Sequence, residues 1–399
     1  PTGAAAETFV GGSVWIHAVS VGEVAAARAI EPGLRALFPG RPFVISTVTE
    51  TGQDAARRAL PGAEAHTFFP VDLSWNVNRF LDAFRPRVVV LLEAEIWPNF
   101  LTLAARRGAS VFLINGRLSD RSFPRYRFAR GVMRPVFESF RGFCVQTAED
   151  ARRYGEIGVE RARIAITGNC KFDLRVEPLD EAQKAELKRS LGVAPERPAV
   201  VAGSTHPGEE GMILDAFAEV RRAIPDACLV LAPRHPERFG DAFEIARSRG
   251  ASVARASDPG GVERPEVVIL DKMGELARAY GAGEIAIVAG SFGRVGGHNL
   301  LEAAAHAVPV IYGPNMKSQR EIAQLFRVGR AGTQVEPGAL AETMLRFLQD
   351  PDARREAGVK CRAVLEANQG SADRAVRALR RWVDEPGARN NGDRASTIR

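Results

Sequence analysis

The chain has 399 residues, 45% of them apolar and 26% charged, and a net charge of +6 at neutral pH. That length exceeds one compact core and makes two domains the default, with the composition of an ordinary globular protein. Four scattered cysteines and six histidines show no CxxC, HExxH or paired spacing, which argues against a zinc site or a disulfide framework, and no apolar run is long enough to span a bilayer.

The first half alternates short apolar runs with helical patterns. Strands are expected at 14–20, 42–48, 65–70, 87–92, 110–115 and 142–146, with helices from 23, over 51–60, over 75–84 and over 99–107 between them. Alternation of this kind, with strands apolar on both faces, means a parallel, doubly wound α/β sheet. Ligands in such sheets bind at the C-terminal ends of the strands. The polar residues at those ends are therefore the ones to weigh.

Ser20-Val-Gly-Glu23 sets a carboxylate at the start of a helix, either as a favourable partner of the helix dipole or as a general base. Thr47–Gly52 occupies the same place after the second strand and reads equally well as a helix cap. Glu93-Ala-Glu95-Ile-Trp-Pro follows a wholly apolar strand, and neither carboxylate can be buried and ionised there without a partner. Asn115-Gly-Arg117-Leu-Ser119 is the comparable loop after the fifth strand. All the excess positive charge falls in residues 1–176, which hold 23 Lys/Arg against 17 Asp/Glu. Arg121, Arg125, Arg127, Arg130, Arg134 and Arg141 face only Glu138 and alternate with Phe123, Tyr126, Phe128, Met133 and Phe137. Such a segment suits phosphates on a lipid or an anionic membrane surface, or it is a solvated helix face. No nucleic-acid-binding motif accompanies it, and nucleic acid is not an expected partner.

Gly168-Asn-Cys-Lys171-Phe-Asp173 carries the first lysine of the chain, a compact ammonium able to meet a carboxylate or a leaving phosphate. The pattern then breaks over 173–195, where a domain link is expected, dividing the chain into 1–176 and 177–384 with a disordered tail over 385–399. Alternation restarts with strands at 199–202, 228–232, 267–270 and 284–289, and helices over 208–224, 239–249 and 273–281. Helices are also expected over 339–348, 354–368 and 371–383, the last assigned to the second domain. Loops at Gly203-Ser204-Thr-His206, Pro233-Arg234-His235, Asp271–Glu275 and Gly290–Glu302 converge on one sheet edge. The glycines at 290, 293, 296 and 297 permit turns that a Cβ would obstruct, and a helix is expected from Asn299, its free N–H groups forming an anion site. Glu302 would then offer a carboxylate to both hydroxyls of a ribose. Together these loops describe a nucleotide pocket, without the GxxxxGK[ST] of an ATPase or a first-turn GxGxxG.

The motifs His17–Glu23, Glu93–Asn99, Asn115–Ser119, Gly168–Asp173, Pro233–Phe239, Met273–Leu276 and Gly296–Glu302 occur in the order found in 3-deoxy-D-manno-octulosonic acid (Kdo) transferases of lipopolysaccharide core biosynthesis, which the chain resembles from about residue 14 to 368. The resemblance implies a GT-B fold, two Rossmann-like domains facing across a cleft, the first binding acceptor and the second CMP-Kdo. It implies an inverting transfer of Kdo to a lipid A precursor (lipid IVA) without metal or cofactor. Glu23 would be the base, with Glu93 and Lys171 assisting the transition state. Pro233, Arg234, Met273, Gly274, Glu275, Asn299, Leu300, Leu301 and Glu302 would hold CMP. Ser20, Gly22, Glu95, Arg117 and Ser204 are candidate contacts for acceptor or sugar. The family usually begins with an apolar anchor and works at the cytoplasmic face of the inner membrane. This chain begins on Pro1, which leads to the expectation that an anchor has been removed. Family members commonly have proline where Leu300 stands, a position where proline is favourable but not required. Another GT-B sugar-nucleotide enzyme acting on UDP-sugars, or a non-catalytic sugar-nucleotide-binding protein, remains an alternative.

Overall fold

The computed structural model describes residues 8–93, 95–173 and 176–384; the tail expected to be disordered lies outside them. They form two compact units, one containing the residues up to Asp173 together with those from Asn368, the other ending at Ala367.

The first unit is a seven-stranded parallel sheet. In chain order its strands are β1 (Ser13–His17), β2 (Phe43–Thr47), β3 (Ala65–Phe68), β4 (Pro86–Leu92), β5 (Ser110–Gly116), β6 (Phe140–Val145) and β7 (Ile164–Ile166), arranged β3-β2-β1-β4-β5-β6-β7. β1 lies between β2 and β4, with Trp15 opposite Val44 on one side and Val89 on the other. Chain direction across the sheet reverses between β1 and β4, so the loops after these two strands open a crevice at their C-terminal ends. Trp15 anchors the core under one face. It meets Phe69, Phe84 and Phe100 edge-on and donates from Nε1 to Ser46 Oγ at 2.8 Å.

The second unit repeats the plan with β8 (Ala199–Thr205), β9 (Cys228–Pro233), β10 (Val253–Arg255), β11 (Val267–Ile269), β12 (Ile285–Val288), β13 (Val310–Tyr312) and β14 (Thr333–Gln334), ordered β10-β11-β9-β8-β12-β13-β14. Its reversal falls between β8 and β12, which pair directly, Val200 opposite Ile285. The short strands β7, β10 and β14 are only two or three residues long, too short for an apolar run to mark them in the sequence.

One expectation is corrected. The terminal helix Ser371–Asp384 packs on the first unit, against the helix Val21–Leu37 and β6, and not on the second. Its buried face, Ala372, Ala375, Leu379 and Trp382, follows helical spacing. Trp382 lies over Gly142, where an added Cβ would fall 2.2 Å from its ring, and stacks on Phe112 at 6.3 Å. The Asp173 carboxylate caps the helix by accepting from the backbone N–H of Gly370 and Ala372 at 2.5 and 2.6 Å. The chain thus returns to its first sheet after completing the second. Trp382→Ala is expected to remove about 3–5 kcal/mol from the first unit alone. Calorimetry should then lower one unfolding transition and leave the other in place.

The helix expected over 273–281 is shorter, Leu276–Ala279 followed by a 3-10 turn, because Gly274 takes a left-handed φ of 88° just before it. Among the described residues no helix is long and apolar enough to cross a membrane.

Candidate active site

In the first unit three segments meet at the sheet reversal. After β1, Ser20 caps the helix Val21–Leu37, its Oγ accepting from Glu23 N at 3.4 Å and donating to Glu23 Oε1 at 3.2 Å. Val19 N donates to Glu23 Oε2 at 2.9 Å. The carboxyl is thereby turned back over the end of β1 and is only 7% exposed. Burial pushes it up from 4.5 to about 7, with the Val19 N–H opposing and the negative charges of Glu93 and Glu95 adding to the rise. A carboxyl near half-ionisation at neutral pH is what a general base requires.

After β4, Glu93 adopts a left-handed φ of 57°, a conformation costing a non-glycine residue about 1–3 kcal/mol, and its N–H is held by Ile114 O at 3.1 Å. Glu95 accepts from Trp97 Nε1 at 2.9 Å, and burial followed by the charge of Glu93 pushes its carboxyl up. After β7, Lys171 reaches Glu93, Nζ to Oε1 2.6 Å, at an angle that makes a charge contact and not an aligned hydrogen bond. A Cβ on Gly22 would stand 3.5 Å from Lys171 Cε, so the lysine stem lies along the first turn that carries Glu23. Ser20, Gly22, Glu23, Glu93, Glu95 and Lys171 are thus brought together. Arg117, in the loop after β5, is exposed and makes no side-chain hydrogen bond or ion pair among the described residues.

Asn115 was singled out only as part of a loop, yet it fixes the lysine. It is fully buried at a φ of 60°, and its Oδ1 accepts from Cys170 N at 3.0 Å, while Asn169 Oδ1 accepts from Lys171 N at 3.0 Å. An asparagine at a strand end, a residue type that tolerates left-handed backbone, was the available signal.

The second unit has its own cluster at the β8/β12 reversal. Gly203 has no room for a side chain, since a Cβ would lie 2.2 Å from Tyr280 Oη, and Ser204 follows with a left-handed φ of 58°. Arg234, just past Pro233 and β9, donates its N–H to Thr205 O at 3.0 Å. Glu302 is pushed up by burial, opposed by the nearby positive charge of Arg234 and by the Asn299 side chain. Met273, Gly274 and Glu275 follow β11, the first two exposed. Leu300 and Leu301 are fully buried, so only their backbone can meet a ligand.

The anion site expected at Gly290–Asn299 is corrected in two respects. The helix after it is one turn, Leu301–Ala304, too short for a substantial dipole. The N–H groups of Gly290 and Phe292 are also not free, because the buried Glu209 carboxylate accepts from them at 2.8 and 3.0 Å. A buried carboxylate needs such donors, and this one, at the start of the helix Glu209–Ala223, ties the glycine loop to the end of β8.

Comparison with known proteins adds the following. Residues 2–174 match the family model described as 3-deoxy-D-manno-octulosonic-acid transferase (kdotransferase). The chain is 30% identical over 375 residues to the 3-deoxy-D-manno-octulosonic acid transferase of Haemophilus influenzae, covering 93% of this chain and 87% of the relative. It is 32% identical over 393 residues to that of Bordetella pertussis, covering 96% and 90%. Among solved structures, UDP-GlcNAc 2-epimerase from Neisseria meningitidis superposes with a TM-score of 0.61 at 12% identity, covering 92% of this chain and 99% of the other. A glycosyltransferase from Rickettsia africae does so at 0.60 and 12%, covering 94% and 100%. At such identities these two speak to fold alone.

Proposed function

This chain belongs to the 3-deoxy-D-manno-octulosonic acid transferases, glycosyltransferases of the GT-B fold, and on that premise we propose that it moves Kdo from CMP-Kdo to a lipid A precursor with inversion, Glu23 acting as base. The observation that carries this reading is the Glu23 carboxyl, buried at the end of β1 and held near half-ionisation at neutral pH. In-line attack needs the acceptor hydroxyl to lose its proton as the bond to the anomeric carbon forms and the bond to the CMP oxygen breaks. Glu23 takes that proton, and the electron pair of the breaking bond leaves on the phosphate. Lys171, paired with Glu93, sets a cation beside the base and limits the repulsion that Glu93 and Glu95 exert on it. In the second unit Arg234 meets donor phosphate charge, and Glu302 accepts from the ribose hydroxyls. Side chains of this kind can stabilise a departing phosphate without a metal.

The helices Phe123–Phe128 and Arg130–Glu138 support contact with an anionic membrane surface. Arg121, Arg125, Arg127, Arg130 and Arg134 are all exposed, alongside Phe128 at 95% and Val132 at 83% exposure. Basic and apolar groups on one exposed segment are what a lipid interface binds.

The test is incubation with CMP-Kdo and a tetraacylated lipid A precursor in anionic vesicles, followed by mass analysis. The expected product is the precursor carrying one or more Kdo residues, with CMP released. Transfer from a UDP-sugar in competition, and none from CMP-Kdo, would remove the reading.

A further inference from the structure

Two imidazoles in the second unit belong to no role assigned so far. His206 follows β8 and His298 stands in the loop after β12, so the two flank the reversal of that sheet. Their Nε2 atoms are 2.8 Å apart. The rings are 3° from coplanar with centroids 5.1 Å apart, a separation that puts them head-on and not face to face.

A head-on contact between two ring nitrogens has one chemical requirement. A single proton must lie between them, one ring donating and the other accepting. In the neutral pair the accepting ring must then carry its own proton on Nδ1. The pair therefore presents at least one outward N–H donor, whichever way the shared proton sits. Neither Nδ1 has a hydrogen-bond partner among the described residues.

The surroundings are cationic on one side. Arg234 acts on both rings, has no ion pair among the described residues, and is followed by His235, whose ring stands 5.6 Å from that of His206. Burial is the largest influence lowering both rings, and His298 falls to about 4. Glu209 and Glu210 act on His206 from the helix Glu209–Ala223. Both are engaged elsewhere, Glu209 with the N–H groups of His206, Gly290 and Phe292, and Glu210 with Thr205 Oγ1 and the Arg238 guanidinium. A guanidinium with no ion pair among the described residues, beside an outward-facing imidazole N–H, can receive a further acceptor carrying negative charge.

We propose that His206 and His298, acting as one hydrogen-bonded pair beside Arg234, form a seat for an oxyanion of the sugar-nucleotide donor. This rests on the transferase reading above and adds two binding residues to it. The donor carries two oxyanions, its phosphate and the carboxylate of its sugar acid, and the seat offers the same chemistry to either. Binding also fixes the glycine loop, because His298 packs over Gly290, where a Cβ would lie 2.5 Å from its ring.

The experiment compares the full chain with His206→Asn, His298→Asn and the double variant. It measures KM for CMP-Kdo, inhibition by CMP alone, and melting temperature. Each single variant is expected to raise KM for CMP-Kdo about tenfold or more, the size of a lost hydrogen bond to a charged group. The double variant should add little, since either change breaks the pair. A parallel loss of CMP inhibition assigns the seat to the phosphate, and a rise in KM alone assigns it to the sugar carboxylate. KM does not depend on the fraction of enzyme folded. Variants that melt lower yet keep the wild-type KM would therefore overturn the proposal and leave a structural pair. Wild-type enzyme that leaves CMP-Kdo uncleaved would instead remove the transferase reading and this inference with it.

Discussion

Glu23→Gln is expected to lower kcat for Kdo transfer by about 10²–10⁴-fold, the range for loss of a positioned general base, with KM for CMP-Kdo nearly unchanged. Glutamine keeps the length of the side chain; its Oε1 can accept from Val19 N while its amide N–H donates to Ser20 Oγ, so the turn that holds it survives. Only the capacity to take a proton is lost. Stability supplies a second readout. The folded-state carboxyl titrates at about 7 against 4.5 as the reference value, so between those values the folded protein binds more protons than the unfolded chain. Stability therefore falls as pH rises through this window, by at most about 3 kcal/mol and less where solvent screens the group. The glutamine variant escapes that fall. It should melt above the wild type at pH 8 and with it near pH 4. Equal turnover by the variant would sink the base assignment.

Lys171→Met carries the second large effect. It strips Glu93 of its partner at 2.6 Å and leaves three carboxyl groups, Glu23, Glu93 and Glu95, close together without that cation. Less of Glu23 is then ionised at neutral pH, since a nearby unbalanced negative charge raises a carboxyl further. We expect kcat at pH 7 to fall about 10–10³-fold, with part of the loss recovered at pH 9. The two side chains are 26% and 24% exposed, so the stability loss should stay below the ~3–5 kcal/mol of a fully buried broken pair. Lys171→Arg should recover little, because a planar fork does not follow the lysine stem over Gly22. A variant with the wild-type rate and pH dependence would show that the pair has no part in catalysis.

What could be read from the residues alone follows from how each element is buried. Strands such as β4 and β8 are covered on both faces and leave continuous apolar runs, so the two doubly wound sheets were legible. β14 is two residues long at an edge, and nothing in Thr333-Gln334 marks it. Glu23, Glu93 and Lys171 stood out because each follows a strand or a break in pattern. Their pairing did not, because Lys171 follows β7, a three-residue strand, and the residue before it, Cys170, is held by Asn115 from 55 positions away. The terminal helix was misassigned for a related reason. An amphipathic pattern declares an apolar face but not which sheet will cover it. In the sequence Glu209 is one acid in the first turn of a helix, and only the folded loop shows two N–H groups turned onto it. His206 and His298 are 92 residues apart and share no motif spacing.

The dependence of single-turnover Kdo transfer on pH tests the central claim most directly, since it reads the ionisation of the base in the working enzyme. A rate that rises with pH to a plateau, with an apparent pKa near 7 in the wild type that moves upward in Lys171→Met, is the result predicted from Glu23 and its neighbours. A rate already at its plateau at pH 5, or an inflection near 7 that persists in Glu23→Gln, would place the proton acceptor on another group.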